Sequence, residues 1–277
     1  MNKNVFEQFR LEDQVIIITG GCGLLGQEYA LTVGQAGGHA VIADLRGPQA
    51  AKVAEKVSAE TGTPALGVQV DISDKPSVQA LVAMVLDRFG RIDGLVNNAA
   101  VNPEFGGEEG RQFTADFESY PLEMWNQSVA VNLTGMFLCT QAVVPAMLRQ
   151  RKGVIVNIAS TYSLVAPDQR LYEQDDPDAL RTFKPVDYPV TKTAVIGFTK
   201  YLAAYYGDKN IRVNTLTPHG VYNDHDDAFM RRYNARTPLG RMSRRDEYNA
   251  ALLFLLSDAS SYMTGNNLII DGGWTAW

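Results

Sequence analysis

Seven short apolar segments alternate with helical patterns along the whole chain, and this alternation constrains the fold more than any other feature. Continuous runs of β-branched and other apolar residues are typical of strands that are buried on both faces. The helical patterns reach Ala36 and cover 75–89, 122–150, 188–206 and a stretch near 244–257. The predicted strands are VIIIT (15–19), AVIAD (40–44), LGVQVD (66–71), DGLVNNAA (93–100), GVIVNIAS (153–160), IRVNTLTP (211–218) and NLIID (267–271). This order predicts an α/β fold: a doubly wound, mostly parallel seven-stranded sheet with helices on both faces.

The length and charge of the chain limit its organisation and its partners. The 277 residues suffice for one domain, 1–277, and we find no repeats or linker. A net charge of −6 argues against nucleic acid or an anionic membrane as a partner. No apolar run looks long enough to span a membrane, and residues 1–14 lack the apolar core of a signal peptide. Cys22 and Cys139 form no disulfide framework and are interpreted as small core residues, so we expect a cytoplasmic location.

A glycine-rich turn follows the first predicted strand and opens the first predicted helix. Gly21, Gly23 and Gly26 match the spacing G-x-G-x-x-G. Such glycines let the backbone approach a pyrophosphate, while the helix N-terminus supplies N–H groups and positive potential. An ordinary glycine turn is the alternative. In this context the pattern predicts a dinucleotide-binding site.

The second predicted strand ends at Asp44, eighteen residues after Gly26, where a ribose-binding acid belongs. A carboxylate there would accept hydrogen bonds from the 2′- and 3′-hydroxyls of NAD and would repel the 2′-phosphate of NADP. Arg46 could instead pair with that phosphate, and Asp44 could also cap a helix. We therefore expect NAD as cofactor, with NADP as the less favoured alternative.

The stretch YPVTK (188–192) places Tyr188 and Lys192 four residues apart, on one face of a predicted helix. An ammonium group beside a phenol lowers the pKa of the phenol from its ordinary value of about 10. Such a tyrosine can exchange a proton with an alcohol or a ketone. Tyr205 and Lys209 have the same spacing, but Gly207 lies between them and marks the end of the helix. A pair of surface neighbours is the alternative interpretation of Tyr188 and Lys192.

Several motifs in order carry a resemblance to the short-chain dehydrogenase/reductase family over nearly the whole chain. They are TGGCGLLG (19–26), Asp71 after the third strand, NNAA (97–100), VNLTG (131–135), NIAS (157–160), YPVTK (188–192), NTLTP (214–218) and IIDGG (269–273). The resemblance implies a Rossmann fold and hydride transfer between NAD and a secondary alcohol or ketone. It also implies a catalytic centre of Ser160, Tyr188 and Lys192, with Asn132 supporting a proton relay.

The same resemblance implies the residues that contact the cofactor. The catalytic Tyr188 and Lys192 are among them, together with residues of the glycine-rich turn and of the strand ends. The full set is Gly20, Gly21, Gly23, Leu25, Gly26, Asp44, Asp71, Ile72, Asn98, Ala99, Ala100, Tyr188, Lys192, Pro218, Gly220 and Val221. No metal is expected.

Three features depart from the family pattern. The glycines fall as TGxxGxxG, with Leu24 where a glycine is usual. His219 interrupts the usual proline-glycine pair; we interpret it as a loop-packing histidine, with a catalytic histidine as the alternative. Ser160 and Tyr188 are 28 residues apart, about twice the usual interval, so an insertion in 161–187 is expected to loop out over the substrate pocket.

The family also places a mobile substrate lid in 218–245, and a second enlarged loop is expected in 101–122. Arg232 and Arg236 in the lid are four apart and share a helix face, so they are candidates to clamp a phosphate or a sugar acid. A solvated helix face, or pairing with the acidic loops, is the alternative. NDHDD (223–227) is interpreted as a polar loop that caps the lid helix rather than as a metal site.

A narrower resemblance suggests the substrate. SLVAPDQRLYE (163–173) and FMRRYNARTPLGRM (229–242) resemble a subgroup linked to bacterial surface-sugar and flagellin-glycan synthesis, which implies a sugar or a nucleotide sugar as substrate. A reductase of 3-oxoacyl groups or small ketones, and a cofactor-binding sensor without turnover, are the alternatives. Family members commonly form dimers or tetramers through two long helices, here 122–150 and 188–206. Residues 1–10 are expected to form an arm that packs through Phe6 and Phe9.

Overall fold

The computed structural model describes residues 4–102, 116–172 and 183–277. Within these residues seven strands form one parallel sheet, which confirms the predicted fold class. They are β1 (Val15–Thr19), β2 (His39–Asp44), β3 (Leu66–Gln69), β4 (Gly94–Asn97), β5 (Gly153–Ile158), β6 (Ile211–Pro218) and β7 (Asn267–Ile270). Their order in the sheet is β3-β2-β1-β4-β5-β6-β7. The strands β2 and β3 therefore extend the sheet on one side of β1, and β4 to β7 extend it on the other side.

Helices cover both faces of the sheet. They are α1 (Leu24–Gln35), α2 (Gly47–Thr61), α3 (Lys75–Phe89), α4 (Leu122–Val129), α5 (Met136–Gln150), α6 (Asp187–Tyr206), α7 (Asp227–Arg236) and α8 (Asn249–Leu256). Ile16 and Ile18 of β1 pack with the core under α1, α2 and α8, while Val15 and Ile17 pack with the core under α3, α5 and α6. Because both faces of β1 are buried, its sequence is continuously apolar rather than alternating.

The predicted helix 122–150 has the expected extent but is not a continuous α-helix. The segment Ala130–Gly135 is π-helical and lies between α4 and α5. Within it, Asn132 accepts a hydrogen bond from the backbone N–H of Val101 at 2.7 Å and donates to the Val101 carbonyl at 3.0 Å. It also donates to Thr191 Oγ1 at 3.1 Å. The apolar pattern of 122–150 predicted one uninterrupted helix, and the wide turn within it was not predicted.

Among the described residues, the helical run Leu122–Gln150 is long and apolar enough, by length and composition, to cross a membrane. The expectation that the sequence holds no such run was therefore wrong. This run packs inside the protein, where 44% of its most apolar 18-residue stretch is buried. There α5 packs on α3, β4 and β5, and α4 packs on α6.

The N-terminal arm and the enlarged loops are described in part. Residues Val5–Phe9 form a 3-10 helix, and the ring of Phe9 lies 6.4 Å from that of Phe254. Phe6 is 80% exposed, so the expectation that it packs on the domain was wrong. The predicted loops over 101–122 and 161–187 include residues 103–115 and 173–182, which lie outside the described residues.

A buried chain of hydrogen bonds ties together the elements that carry the predicted catalytic residues. Asn157 on β5 donates to Thr199 Oγ1 on α6 at 2.9 Å, and Thr215 Oγ1 on β6 lies 2.8 Å from the same Thr199 oxygen. Buried polar groups of this kind specify one arrangement, because any shift of register would leave them without partners. The chain of bonds therefore fixes β5, which leads to Ser160, against α6, which bears Tyr188.

Candidate active site

A cavity of about 660 Å³ opens at the carboxyl ends of β5 and β6. Ile158 pairs with Leu216 across these strands, so the residues that follow each strand emerge side by side. In a doubly wound sheet this edge is where ligands bind, and the volume suits a small molecule. The described part of 161–187 contributes a wall of this cavity, as expected. Its lining includes Ser160, Tyr162, Tyr172, Lys184, Tyr188, His219 and Arg232.

Tyr188 lies in the first turn of α6 and lines the cavity beside Ser160. Ser160 follows β5 directly, and its Oγ accepts a hydrogen bond from the backbone N–H of Tyr162 at 3.2 Å. Burial raises the pKa of Tyr188 to about 12, although the neighbouring Ser160 side chain lowers it. Tyr188 is therefore protonated at neutral pH and positioned to give a proton to an oxygen in the cavity.

Lys192 is buried one helical turn after Tyr188. Its Nζ donates to the carbonyl of Ile158 at 2.7 Å and lies 5.8 Å from the centroid of the Tyr188 ring. Burial lowers the pKa of Lys192 to about 8. The sequence predicted that Lys192 would lower the pKa of Tyr188. The structure does not bear this out: burial of the phenol raises the pKa of Tyr188, and Lys192 Nζ donates to the Ile158 carbonyl instead.

Asn132 lies behind α6 and joins it to the loop that follows β4. Its amide bonds reach the backbone of Val101 on one side and Thr191 Oγ1 on the other. Thr191 in turn donates to the carbonyl oxygens of Asp187 and Tyr188 at 2.8 and 3.1 Å. Asn132 is thus connected through one side chain to the turn of α6 that bears Tyr188.

The glycine-rich turn has the shape that a dinucleotide pyrophosphate requires. Gly20 has φ of +62°, and a Cβ on it would lie 2.7 Å from the Cα of Ala99. A Cβ on Gly26 would lie 2.3 Å from the Gly20 carbonyl oxygen, so packing alone demands these two glycines. Gly23 differs, because its Cβ would meet only that carbonyl at 3.2 Å, and its position as N-cap leaves the N-terminus of α1 without a side-chain cap. The open N–H groups of α1 fit a phosphate ligand.

Asp44 lies at the end of β2, beside the start of α1. Its Oδ2 accepts from the backbone N–H of Cys22 at 2.9 Å, and its Oδ1 accepts from both the N–H and the Nε of Arg46 at 3.1 Å. Burial raises the pKa of Asp44, but these hydrogen bonds outweigh it and hold the pKa below its ordinary value. Asp44 is therefore a carboxylate at neutral pH, and it is paired with the arginine that could have favoured NADP. The N-cap of α2 is Arg46 rather than Asp44.

The loop after β4 lies beside the glycine-rich turn. Asn98 Nδ2 donates to the carbonyls of Thr19 and Gly20 at 3.0 and 3.1 Å, and the N–H groups of Asn98 and Ala99 both donate to Thr19 Oγ1 at 3.1 Å. These bonds hold the loop against the glycine-rich turn. Ala100 is exposed beside them.

The remaining predicted cofactor residues divide into two groups. Asp71 is exposed, and its carboxylate accepts from the N–H and the hydroxyl of Ser73 at 2.8 and 2.6 Å, while Ile72 is buried beside Gly135. The others line the cavity itself: Leu25, Pro218, Gly220 and Val221. The turn after β6 therefore reaches the cavity although His219 interrupts its usual sequence.

His219 is packed in an aromatic cluster at the cavity wall. Its ring stacks on Tyr233 with centroids 4.9 Å apart and lies 4.2 Å from Trp274, and its Nδ1 hydrogen-bonds with Thr161 Oγ1. Burial lowers the pKa of His219 to about 3, so the ring is neutral at neutral pH. These contacts are those of the loop-packing histidine that was expected.

The two candidate lid arginines have different surroundings. Arg232 lines the cavity, whereas Arg236 forms an ion pair with Asp168 and lies with its guanidinium 5.3 Å from the Trp274 ring centroid. Asp226 accepts from the backbone N–H of Phe229 at 2.8 Å and so caps α7, as predicted for the polar loop before it. Helical spacing could not distinguish the two arginines, because it shows which residues share a face but not what lies opposite.

Lys184 was missed by the sequence analysis. It precedes α6, lies outside every motif, and lines the cavity with its Nζ 4.4 Å from the centroid of the Tyr188 ring. The predicted helix begins at 188, and no helical spacing could place Lys184 because the observed helix begins at Asp187.

Comparisons with known proteins agree with this geometry. The family model of the short chain dehydrogenases matches residues 14–172, and a model described as enoyl-(acyl carrier protein) reductase matches residues 180–275. The trans-4-hydroxycyclohexanecarboxylate dehydrogenase of Sinomonas cyclohexanicum is 36% identical over 273 residues, covering 96% of this chain and 95% of that protein. The D-threitol dehydrogenase of Mycolicibacterium smegmatis is 34% identical, with coverage of 96% and 95%. A crystal structure of a gluconate 5-dehydrogenase from Burkholderia cenocepacia, in complex with NADP and tartrate, is 30% identical with a TM-score of 0.86, covering 99% of this chain and all of that one.

Proposed function

Because this chain belongs to the short-chain dehydrogenase/reductase family, we propose that it transfers a hydride between NAD and a secondary alcohol or ketone on a small sugar-like or cyclic polyol. It is an oxidoreductase that acts on CH–OH groups with a nicotinamide cofactor. One observation carries the proposal: Tyr188 and Ser160 lie together at the wall of the cavity, with Lys192 one helical turn after Tyr188.

Each residue at the cavity would have a separate role in the transfer of the hydride and the proton. A bound nicotinamide would supply or accept the hydride at the substrate carbon. Ser160 Oγ would donate a hydrogen bond to the substrate oxygen, and Tyr188 would give that oxygen its proton in ketone reduction or remove it in alcohol oxidation. Lys192, on the same face of α6, would favour the phenolate after the proton has left. The aromatic wall around His219 would exclude water from the reacting atoms.

The substrate class is supported by the size of the cavity and by the names of the relatives. Trans-4-hydroxycyclohexanecarboxylate and D-threitol each carry a hydroxyl on a small skeleton that bears further polar groups, and the solved neighbour acts on gluconate. A cavity of about 660 Å³ accommodates molecules of this size.

A nucleotide sugar is the second candidate, and Arg232 at the cavity wall favours it. This substrate would agree with the role in surface-sugar synthesis that 163–173 and 229–242 suggested. Only one of the two arginines proposed as its clamp lines the cavity, since Arg236 is engaged with Asp168. Reduction of a 3-oxoacyl group is a further candidate, favoured by the match of 180–275 to the enoyl-(acyl carrier protein) reductase model.

NAD is the proposed cofactor because Asp44 is a carboxylate and neutralises Arg46. A 2′-phosphate at this place would meet the charge of Asp44, while the arginine that could attract it is already paired. The gluconate dehydrogenase crystallised with NADP shows that a relative can bind the other cofactor, so the preference needs a direct measurement.

We also propose that the chain assembles as a homodimer or homotetramer in the cytoplasm. Its two long helices carry exposed apolar side chains that an interface would cover, namely Phe137, Leu148, Val190, Tyr201 and Tyr205. Light scattering measures the assembly directly, and a monomer at micromolar concentration would contradict it.

A substrate panel tests the function. The purified enzyme would be supplied with NAD or NADH and with D-threitol, D-gluconate, trans-4-hydroxycyclohexanecarboxylate, UDP-glucose and acetoacetyl-CoA, following the absorbance of reduced nicotinamide. We expect turnover of a polyol or cyclic alcohol, abolished in Tyr188→Phe. Turnover restricted to UDP-glucose or to the acyl thioester would favour those candidates instead. Cofactor binding without turnover of any substrate would contradict the proposal and favour the sensor.

A further inference from the structure

Two tyrosines form a hydrogen-bonded pair of hydroxyls in the cavity wall. The phenol oxygens of Tyr162 and Tyr172 lie 2.9 Å apart, and both side chains line the cavity. Tyr162 belongs to the turn that directly follows Ser160, whereas Tyr172 ends the 3-10 helix Gln169–Tyr172 in the described part of 161–187. The pair therefore joins the strand end that bears the serine to the segment that was expected to loop out over the substrate pocket.

Tyr162 is held close to the residues that would contact the reacting oxygen. Its backbone N–H donates to Ser160 Oγ at 3.2 Å, so the positions of these two residues are linked. Burial raises the pKa of Tyr188, and the nearby Tyr162 phenol adds to this effect. The ring of Tyr162 also meets the His219 ring edge-on, with centroids 6.4 Å apart. These contacts fix a further polar group beside Ser160 and Tyr188, at the same end of the cavity.

The hydroxyl of Tyr162 is a neutral hydrogen-bonding group. Burial raises the pKa of Tyr162 and of Tyr172, so both phenols keep their protons at neutral pH. A phenol donates one hydrogen bond and can also accept. If Tyr162 donates to Tyr172, its oxygen can accept from a ligand, and if it accepts from Tyr172, its O–H can donate to a ligand. A ligand hydroxyl fits both arrangements, because it can itself donate or accept.

Apolar side chains pack beside the pair. Leu171, Phe229 and Met242 line the cavity and belong to one cluster with Tyr172. A ligand hydroxyl placed against such side chains would lose its hydrogen bonds with water and gain none. Placed against Tyr162, it would regain a partner. A few polar groups in an otherwise apolar wall are what orient a small ligand.

We propose that the Tyr162 hydroxyl binds a second hydroxyl of the substrate, so that the enzyme selects diols and polyols over mono-alcohols. This inference rests on the proposed function, since it names what the same cavity recognises beyond the reacting oxygen. Ser160 and Tyr188 would contact the reacting oxygen, and Tyr162 would contact an oxygen elsewhere on the same skeleton. A mono-alcohol would leave this contact unmade, and the loss of one hydrogen bond corresponds to about threefold to tenfold in affinity.

Isothermal titration calorimetry on the NADH-saturated enzyme tests the inference without turnover, because the reduced cofactor cannot accept a hydride from an alcohol. The probes are cyclohexane-1,2-diol, cyclohexane-1,4-diol and cyclohexanol, which share a ring and differ in the second hydroxyl. We expect the wild type to bind at least one diol about threefold to tenfold more tightly than cyclohexanol. Cyclohexanol is the less hydrated probe, so a cavity without a partner for the second hydroxyl would prefer it instead.

Three variants assign the preference to one hydroxyl. Tyr162→Phe keeps the ring and should bind neither diol more tightly than cyclohexanol. Tyr172→Phe leaves the Tyr162 hydroxyl in place and should keep part of the preference. Tyr262→Phe, at a fully exposed position, should keep all of it. The comparison of probes in the wild type needs no variant, so the inference stays testable if Tyr162→Phe fails to fold.

Several results would overturn the inference. They are cyclohexanol binding as tightly as both diols, no measurable binding of either diol, and a diol preference that persists in Tyr162→Phe or is lost only in Tyr172→Phe. Trans-4-hydroxycyclohexanecarboxylate distinguishes the recognised group: a Tyr162-dependent preference for it over both diols would replace the second hydroxyl by a carboxylate. A Tyr162-dependent diol preference without turnover on the substrate panel would refute the proposed function while leaving the hydroxyl site intact.

Discussion

Asp44 provides the sharpest test of how this chain selects its cofactor. Its carboxylate accepts hydrogen bonds from the backbone N–H of Cys22 at 2.9 Å and from Arg46 at 3.1 Å. Asp44→Asn keeps the shape and one acceptor oxygen but removes the charge. Asp44→Ala removes both, and it leaves the buried N–H of Cys22 without this acceptor. The pair of variants therefore separates electrostatic repulsion from the structural support of the glycine-rich turn.

The expected size of the effect follows from charge separation. Two unit charges about 4 Å apart interact by about 4 kcal/mol at an effective dielectric constant of about 20. The neighbouring Arg46 and dissolved salt reduce the repulsion between Asp44 and a 2′-phosphate. We therefore expect Asp44→Asn to lower the ratio of kcat/KM for NAD over NADP by about tenfold to a hundredfold, or about 1.4 to 2.8 kcal/mol. Asp44→Ala should change the ratio similarly and also cost about 1–3 kcal/mol of stability, because a buried donor loses its acceptor.

The assay is steady-state kinetics with both cofactors on one substrate, with dissociation constants for NADH and NADPH measured by fluorescence and Tm recorded for each variant. The cofactor titrations give the same ratio even if no substrate has been found. A wild type that prefers NADP would mean that Arg46 attracts the phosphate more strongly than Asp44 repels it. An unchanged ratio in Asp44→Asn would refute the charge argument altogether.

The remaining predictions concern Tyr188, the buried His219 and the two arginines of α7. Tyr188→Phe should lower kcat by about a hundredfold to ten-thousandfold with little change in the NAD dissociation constant. Tyr205→Phe, on the exposed face of α6, should leave kcat unchanged. Loss of activity only in the Tyr205 variant would show that Tyr205, and not Tyr188, transfers the proton. The pKa of His219 is about 3 in the folded protein, below its ordinary value of 6.5. Below pH 6.5 the unfolded chain therefore binds a proton at His219 that the folded protein does not bind. The free energy of unfolding should fall as a result, by about 2 kcal/mol at pH 5 relative to pH values above 6.5. Denaturant unfolding should show this loss in the wild type but not in His219→Gln, and parallel curves would contradict it. If the substrate is a nucleotide sugar, Arg232→Ala should raise its KM, because Arg232 lines the cavity. Arg236→Ala should leave KM unchanged and lower the free energy of unfolding by about 1 kcal/mol or less, because Arg236 pairs with Asp168. Equal effects of the two variants on KM would show that the lid acts as one unit.

The fold and the placement of Tyr188 and Lys192 on one helix face at the cavity were predictable because their signals are local. The apolar run of β1 reports burial on both faces, and the four-residue spacing of Tyr188 and Lys192 reports a shared helix face whatever surrounds it. The glycine-rich turn is equally local, since Gly20 and Gly26 are required by contacts within a few residues or with the adjacent loop. Such features can be predicted from the sequence without knowledge of tertiary packing.

The features that escaped prediction depend on packing between distant segments. The pKa of Tyr188 rises because the cavity wall buries it, and no spacing rule contains that burial. Arg236 is removed from the cavity by Asp168, which lies 68 residues earlier in the chain. Lys184 approaches Tyr188 from a loop that has no periodicity. In each case the deciding partner could be named only after the chain had been folded.

The π-helical segment Ala130–Gly135 has a consequence for how this chain can be aligned and redesigned. A π turn holds about one residue more than an α turn, so the segment behaves as a single-residue insertion inside a helix. Each α-helical residue turns the chain by about 100°. Deleting one residue here would regularise the helix and rotate Leu122–Val129 by that angle relative to Met136–Gln150, carrying Asn132 away from Val101 and Thr191. A redesign that idealises this helix would therefore keep its apolar stripe on one side of the segment only. It would also disconnect the helix that bears Tyr188 from the loop after β4.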